Sequence, residues 1–176
     1  MKKSFTTIFI LVFSYLCLSQ NKADSVKLQI NELGNIYFEK IFEFENISKD
    51  DIYLKASDWF GEYFNNPDDV LSYTNRETGK LKGNFISDYD TPGLISLAFP
   101  FIHTISIAIK DNRMKVVISD IKYFADQSYT LEFYLLKKNG KFRKAYKVLK
   151  QDVENKVPLV FNSLNSYIIS KDNDDW

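Results

Sequence analysis

The stretch from His103 to Ile118 leaves this chain little choice of architecture. His103, Ile105, Ile107 and Ile109 alternate with small or polar residues, Asp111-Asn112 interrupts, and Met114, Val116 and Ile118 resume the alternation. Period-two patterning sends every second side chain to one buried face, and a tight polar break between two such runs returns the chain antiparallel. A hairpin with one apolar face must be covered by other apolar elements.

The flanking sequence supplies the cover. Ser48-Lys49-Asp50-Asp51 predicts a helix start, with Ser48 accepting from free N–H groups, Asp51 three residues on, and two carboxylates at the positive end of the helix dipole. Ile52, Ala56, Trp59, Phe60 and Tyr63 follow at helical spacing as one buried face, and Asn65-Asn66-Pro67 ends the helix. Val157, Phe161, Leu164 and Ile168 predict a second helix, with Asn155 as cap and Pro158 in its first turn.

Strands are predicted at Ile36–Glu45 around Phe38, Phe42 and Phe44, with Lys40 as the exception. Two more, Val70–Thr74 and Lys80–Ile86, flank the turn Arg76-Glu77-Thr78-Gly79, followed by a polar loop from Ser87 to Pro92-Gly93. Leu94–Ile109 is a long apolar run broken at Pro100. Tyr129–Leu136 alternates, Asn139-Gly140 is a strong hairpin signal, and Phe142, Tyr146 and Val148 read as the partner strand.

The expected fold class is therefore α+β: a single antiparallel β-sheet with two helices packed on one face, in the order β-α-β-β-β-β, a further β-hairpin, then α. With 176 residues, 45% of them hydrophobic, the chain can bury the core of one domain but not of two ordinary ones. That domain is expected over residues 36–170, after a polar lead-in at 20–35 and before an acidic tail at 171–176.

Residues 1–19 read as a secretory signal peptide. Lys2 and Lys3 precede the apolar run Phe5–Leu18, and Ser19 offers a small residue at the cut, leaving Gln20 first. The run is shorter than the ~20 residues that span a bilayer, so no stable membrane span is expected in the mature chain. Cys17 raises the alternative of a lipid-modified cysteine, but Leu16 stands where a small residue is wanted. Export to the periplasm or the outside of the cell is the expected localisation.

Charge and composition remove several functions. Lys and Arg together number 23 and so do Asp and Glu, giving no basic excess for nucleic acid. One Cys and one His exclude a disulfide framework and a zinc cage within one chain. His103, on an apolar strand, reads as structural rather than as an acid or base. Asp88-Tyr89-Asp90 and the tail carboxylates Asp172, Asp174 and Asp175 lack the further ligands a calcium loop needs. No catalytic, cofactor-binding or metal residue is assigned. Lys137, Lys138, Lys141, Arg143, Lys144, Lys147 and Lys150 form a basic stretch, read as a solvated, edge-protecting hairpin, with contact to anionic lipid or polysaccharide as the other reading.

Short motifs carry a resemblance. Lys40-Ile41-Phe42, Ile47-Ser48-Lys49-Asp50-Asp51-Ile52-Tyr53 with Trp59, Thr78-Gly79-Lys80-Leu81-Lys82-Gly83, Ile109-Lys110-Asp111-Asn112-Arg113, Val116–Tyr123 and the Asp174-Asp175-Trp176 ending resemble a secreted Bacteroidetes domain of unknown function with a TATA-box-binding-protein-like (TBP-like) fold. The resemblance implies that fold over roughly Ile36–Tyr123 and brings no catalytic residues. The functional expectation is a non-catalytic binding module of the envelope, with an unknown ligand or protein partner held on an aromatic-rich open sheet face. The alternatives are a hydrolase working through Asp88 and Asp90, and a structural component of an envelope assembly.

Overall fold

The structure, a computed structural model, describes residues 26–64, 70–91 and 97–170. The proposed signal peptide, the acidic tail, the Asn65-Asn66-Pro67 stop and Pro92-Gly93 lie outside them. Six strands form one antiparallel sheet: β1 (Leu28–Ile30), β2 (Ile36–Glu43), β3 (Leu71–Asn75), β4 (Lys80–Thr91), β5 (Leu97–Lys110) and β6 (Arg113–Tyr123), in spatial order β1-β2-β6-β5-β4-β3. Helix α1 (Lys49–Phe64) crosses between β2 and β3, a short α2 (Leu131–Leu135) follows β6, and the long α3 (Lys147–Ser170) closes the chain. The α+β class and the single antiparallel sheet stand as expected.

The central hairpin forms as its patterning dictates. Ile105 pairs with Ile118, Ile107 with Val116 and Ile109 with Met114, all buried on the face covered by α1 and α3. Asn112 makes the turn with φ 58°, a conformation asparagine tolerates. Trp59 Nε1 donates to Ser163 Oγ at 3.1 Å and Lys55 Nζ to the Ile168 carbonyl at 3.1 Å, fastening α1 to α3. Gly83 lets α1 approach: a Cβ there would lie 2.8 Å from the Val70 carbonyl and 3.0 Å from Phe60. Of the predicted α1 face, Ile52, Ala56, Trp59 and Phe60 are buried, while Tyr63 stays partly exposed.

Three resemblance motifs meet in space and explain one another. Asp51 N–H donates to Ser48 Oγ at 3.1 Å, and the Ser48 hydroxyl donates to Asp51 Oδ2 at 2.6 Å, completing the predicted cap. The β5–β6 turn reaches the same helix end: Lys49 N–H donates to Asp111 Oδ1 at 2.8 Å and Ile47 N–H to Asn112 Oδ1 at 3.0 Å. The β3–β4 turn joins through Gly79, whose carbonyl accepts from Ile109 N–H at 2.8 Å, and through Arg76, paired with Asp50 at 3.1 Å. A side chain at Gly79 would collide with the Ile109 carbonyl at 2.6 Å. These motifs are a structural clasp.

Several expectations are corrected. The lead-in contains β1, whose Gln29 pairs with Tyr37 of β2. The polar loop after Ile86 is largely strand: Ser87–Thr91 continue β4, with Tyr89 buried. The edge of β4 beyond β3 is closed by α3, since Asp90 N–H donates to Asp152 Oδ2 at 2.9 Å and Lys156 Nζ donates to the Asp88 carbonyl at 2.9 Å. Pro100 does not break β5. It pairs with Asp88, and its carbonyl accepts from Phe124 N–H at 2.9 Å.

The 129–148 hairpin is replaced by other structure. Thr130 Oγ1 accepts from Phe133 N–H at 3.3 Å and starts α2, burying Leu131 and Leu135 one turn apart. Asn139-Gly140 does turn, with Gly140 at φ 74°, yet the flanking residues make one bridge, Leu136 to Phe142, rather than a ladder. Helix α3 starts at Lys147, not near Asn155, because Leu149 and Val153 extend the Val157–Phe161 stripe backwards; Pro158 therefore sits inside the helix.

Candidate functional site

The covered face takes the aromatic residues. Phe38, Phe42, Phe85, Tyr89 and Phe101 are buried in the core. The open face instead carries Tyr37, Glu39, Lys82, Asn84, Thr104, Ser106, Lys115 and Ser119, with a Thr104–Asn84 hydrogen bond at 3.0 Å and a Lys115–Glu39 ion pair at 2.8 Å. Tyr73, Ile41 and Ile86 share that face, each about half exposed, so it is a mixed surface in which polar and charged groups outnumber rings, not the aromatic-rich sheet face expected.

His103 is fully buried. It stacks on Phe85 with ring centres 4.7 Å apart, meets Tyr89 edge-on at 5.4 Å, and has no hydrogen-bond partner on either ring nitrogen. Burial lowers its pKa from 6.5 to about 3, so the ring is neutral. It fills a core position. Asp88 is exposed and Asp90 half-buried, two residues apart on β4 with Tyr89 turned inward between them. Among the described residues no group of three His, Cys, Asp or Glu is placed to hold a metal ion.

Concave surface gathers at a different place, the end of the sheet where the β1–β2 turn meets α2 and the chain entering α3. A first cleft of about 490 Å³ is lined by Asn31, Gly34, Tyr37, Ser119, Asp120 and Glu132, among others. A second of about 520 Å³ shares Gly34, Thr130 and Glu132 with it and adds Phe133, Lys137, Lys138 and Arg143. A third of about 400 Å³ shares Arg143 with the second and adds Phe142, Lys144, Lys147 and Lys150.

Local rules build each wall. Asn31 Oδ1 accepts from Leu33 N–H at 3.0 Å and from Asn35 N–H at 2.9 Å, and Gly34 sits at φ 83°. This rigid turn holds Leu33 outward, 86% exposed. Glu132 Oε1 accepts from Ile36 N–H at 2.6 Å, tying α2 to the start of β2. The β5–β6 register slips between Ile102 and Thr104, and Asp120 takes φ 53° in the resulting bulge, which re-aims β6 at the first cleft. Arg143 Nε donates to the Leu136 carbonyl at 2.9 Å, and its guanidinium lies 5.9 Å from the Phe133 ring centre. Lys150 lies 4.8 Å from the Phe142 ring centre while paired with Glu154.

Behind this surface, Tyr134 touches Phe101 at 5.8 Å and Tyr146 at 5.6 Å, anchoring the segment to the core. Burial, with help from the neighbouring phenols, raises the Tyr134 pKa above its ordinary 10.0, keeping it protonated. The arrangement has donors, cations and half-exposed rings, and its nearest carboxylates are already engaged: Glu132 by a backbone N–H, Glu154 by Lys150 and Asp120 by Lys122 at 2.9 Å. Sequence reading found the cations of this surface but missed Leu33 and the exposure of Phe133; the signal for the former was Asn31…Gly34-Asn35 between two short apolar runs.

One sheet with both main helices on one face places the chain among TBP-like α+β domains. Residues 38–124 match the family described as domain of unknown function (DUF4468) with TBP-like fold, in agreement with the resemblance read from the sequence. A DUF4468 family protein from Bacteroides ovatus has a similar structure, with a TM-score of 0.62 at 16% identity, covering 87% of this chain and 95% of that one. A TBP-like protein from Parabacteroides distasonis matches with a TM-score of 0.60 at 18% identity, covering 81% and 97%. No curated protein matches the chain. The structural likenesses establish fold, and fold does not confer function. No described helix is long and apolar enough to cross a membrane.

Proposed function

We propose that this chain is an exported, non-catalytic binding module of the bacterial envelope, and that its ligand surface is the β1–β2 turn, α2 and the Lys137–Lys150 segment. The observation that carries the reading is the three adjoining clefts, joined through Gly34 and Arg143 and edged by cations and half-exposed rings. Preformed concave surface with few converging polar groups is the general form of a binding site. The Lys2-Lys3 start, the Phe5–Leu18 run and Ser19 support export.

Titrating isotope-labelled protein with an envelope extract and following backbone amide resonances tests this. Shifts should concentrate at Gly34, Phe133, Gly140 and Arg143. Shifts centred on Asp88 and Asp90 would favour the carboxylate hydrolase instead, and an unchanged spectrum would remove the proposed surface.

A further inference from the structure

If this end of the molecule is the binding surface, as proposed, its chemistry narrows the class of ligand. Seven cations lie between Lys137 and Lys150, and no Asp or Glu occurs from Phe133 to Gln151. All but Arg143 and Lys150 of those cations are exposed. The third cleft is walled by one ring and four cations, so it offers donors and positive charge but no side-chain acceptor. Such a wall suits phosphate oxygens. It does not suit the hydroxyls of a neutral sugar, which need donors and acceptors together.

Apolar tips stand beside the charge. Leu33 is 86% exposed on a turn held rigid by Asn31, and the adjoining Gly34 lines the same cleft as Phe133 and Lys137. Phe133 and Phe142 are 49% and 40% exposed. An aliphatic tip gains nothing from a hydrated polysaccharide but gains by entering the acyl region below lipid headgroups. Aromatic rings settle at that boundary, and lysines keep their charge among the phosphates. The nearby acids are Glu32, exposed on the same turn, and Glu132, Asp120 and Glu154, engaged by the Ile36 N–H, Lys122 and Lys150. The seven cations outnumber these four acids, which leaves a net positive face.

We infer that the Leu33 turn, Phe133, Phe142 and the Lys137–Lys150 cations form a docking surface for an anionic phospholipid bilayer, with Leu33 entering below the headgroups. The attraction is peripheral: cations near an anionic leaflet and a small apolar insertion, with no spanning segment required.

The test is co-sedimentation of the protein, purified as the cell exports it, with two kinds of vesicle: phosphatidylcholine alone, and phosphatidylcholine with about one third phosphatidylglycerol. Binding to the anionic vesicles, lost at high salt and absent from the neutral ones, is the expected result. The triple variant Lys137→Gln, Lys138→Gln, Lys141→Gln should weaken it by about fivefold per lysine. Leu33→Ser should weaken it about tenfold, and circular dichroism should show an unchanged fold for both. Equal binding to both vesicles, or to neither, overturns the inference. So does retention on polygalacturonate that ignores Leu33→Ser, which would assign the surface to an acidic glycan. If vesicles fail while the Gly34, Phe133 and Arg143 resonances still respond to envelope extract, the lipid assignment falls and the binding module stands.

Discussion

At the scale of single residues, His103 shows how a chemically capable group is made inert. Stacked on Phe85 and met edge-on by Tyr89, with no hydrogen-bond partner, it is held neutral with a pKa lowered by burial to about 3. The unfolded chain protonates near 6.5 while the fold does not, so stability is full above that value and falls as pH drops towards about 3. The slope from this group is about 1.4 kcal/mol per pH unit. His103→Leu should remove that slope and, by deleting two unsatisfied nitrogens, raise stability at pH 5 by ~1–3 kcal/mol. Urea melts at pH 5 and pH 8 check this; a variant that keeps the wild-type difference between the two would show that acid sensitivity lies elsewhere. The strand position of His103 was legible from its apolar neighbours. Its stacking partners were not, because Phe85 comes from another strand and Tyr89 from what reads in sequence as a loop.

At the scale of elements, stability is concentrated where turns and helices finish each other's hydrogen bonding. Ser48→Ala removes the acceptor for Asp51 N–H at the start of α1 and should cost ~1 kcal/mol, read as a lower urea midpoint. Asp152→Ala removes a largely buried carboxylate, 17% exposed, from the backbone of β4. Losing a charged acceptor of this kind should cost ~1.5–3 kcal/mol. It also bares a strand edge, so faster aggregation measured by light scattering is expected. Lys156→Ala should do less, since its side chain is 42% exposed. Elements with one dominant period were readable: the central hairpin, α1 and the Gly79 turn. Those with competing periods were not. Tyr129, Leu131, Phe133 and Leu135 alternate like a strand, yet Leu131 and Leu135 also stand one helical turn apart. The Thr130 cap and the Glu132 bond to Ile36 decide for helix, and that second contact is long-range. The β4 extension was hidden for the same reason, its edge being closed by residues some sixty positions away.

At the scale of the whole molecule, one sheet face is spent on the core and the other is a solvent-facing surface of mixed polar and apolar side chains. The three clefts described lie at the end where chain segments far apart in sequence converge. That convergence explains why the candidate site was only half legible: the cations cluster in sequence, whereas the Leu33 turn, Ser119, Asp120 and Glu132 meet them only after folding. The proposed export predicts that N-terminal mass spectrometry will find Gln20 as the first residue; a chain beginning at a lipidated Cys17, or keeping Met1, would contradict it. The proposed binding surface is tested most directly by photo-crosslinking in cells. A photoreactive amino acid placed at Phe142 should give a discrete adduct with an envelope component, while the same group at Ser106 on the open face should give none. An adduct from Ser106 and none from Phe142 would contradict the assignment of the binding surface to this end of the sheet.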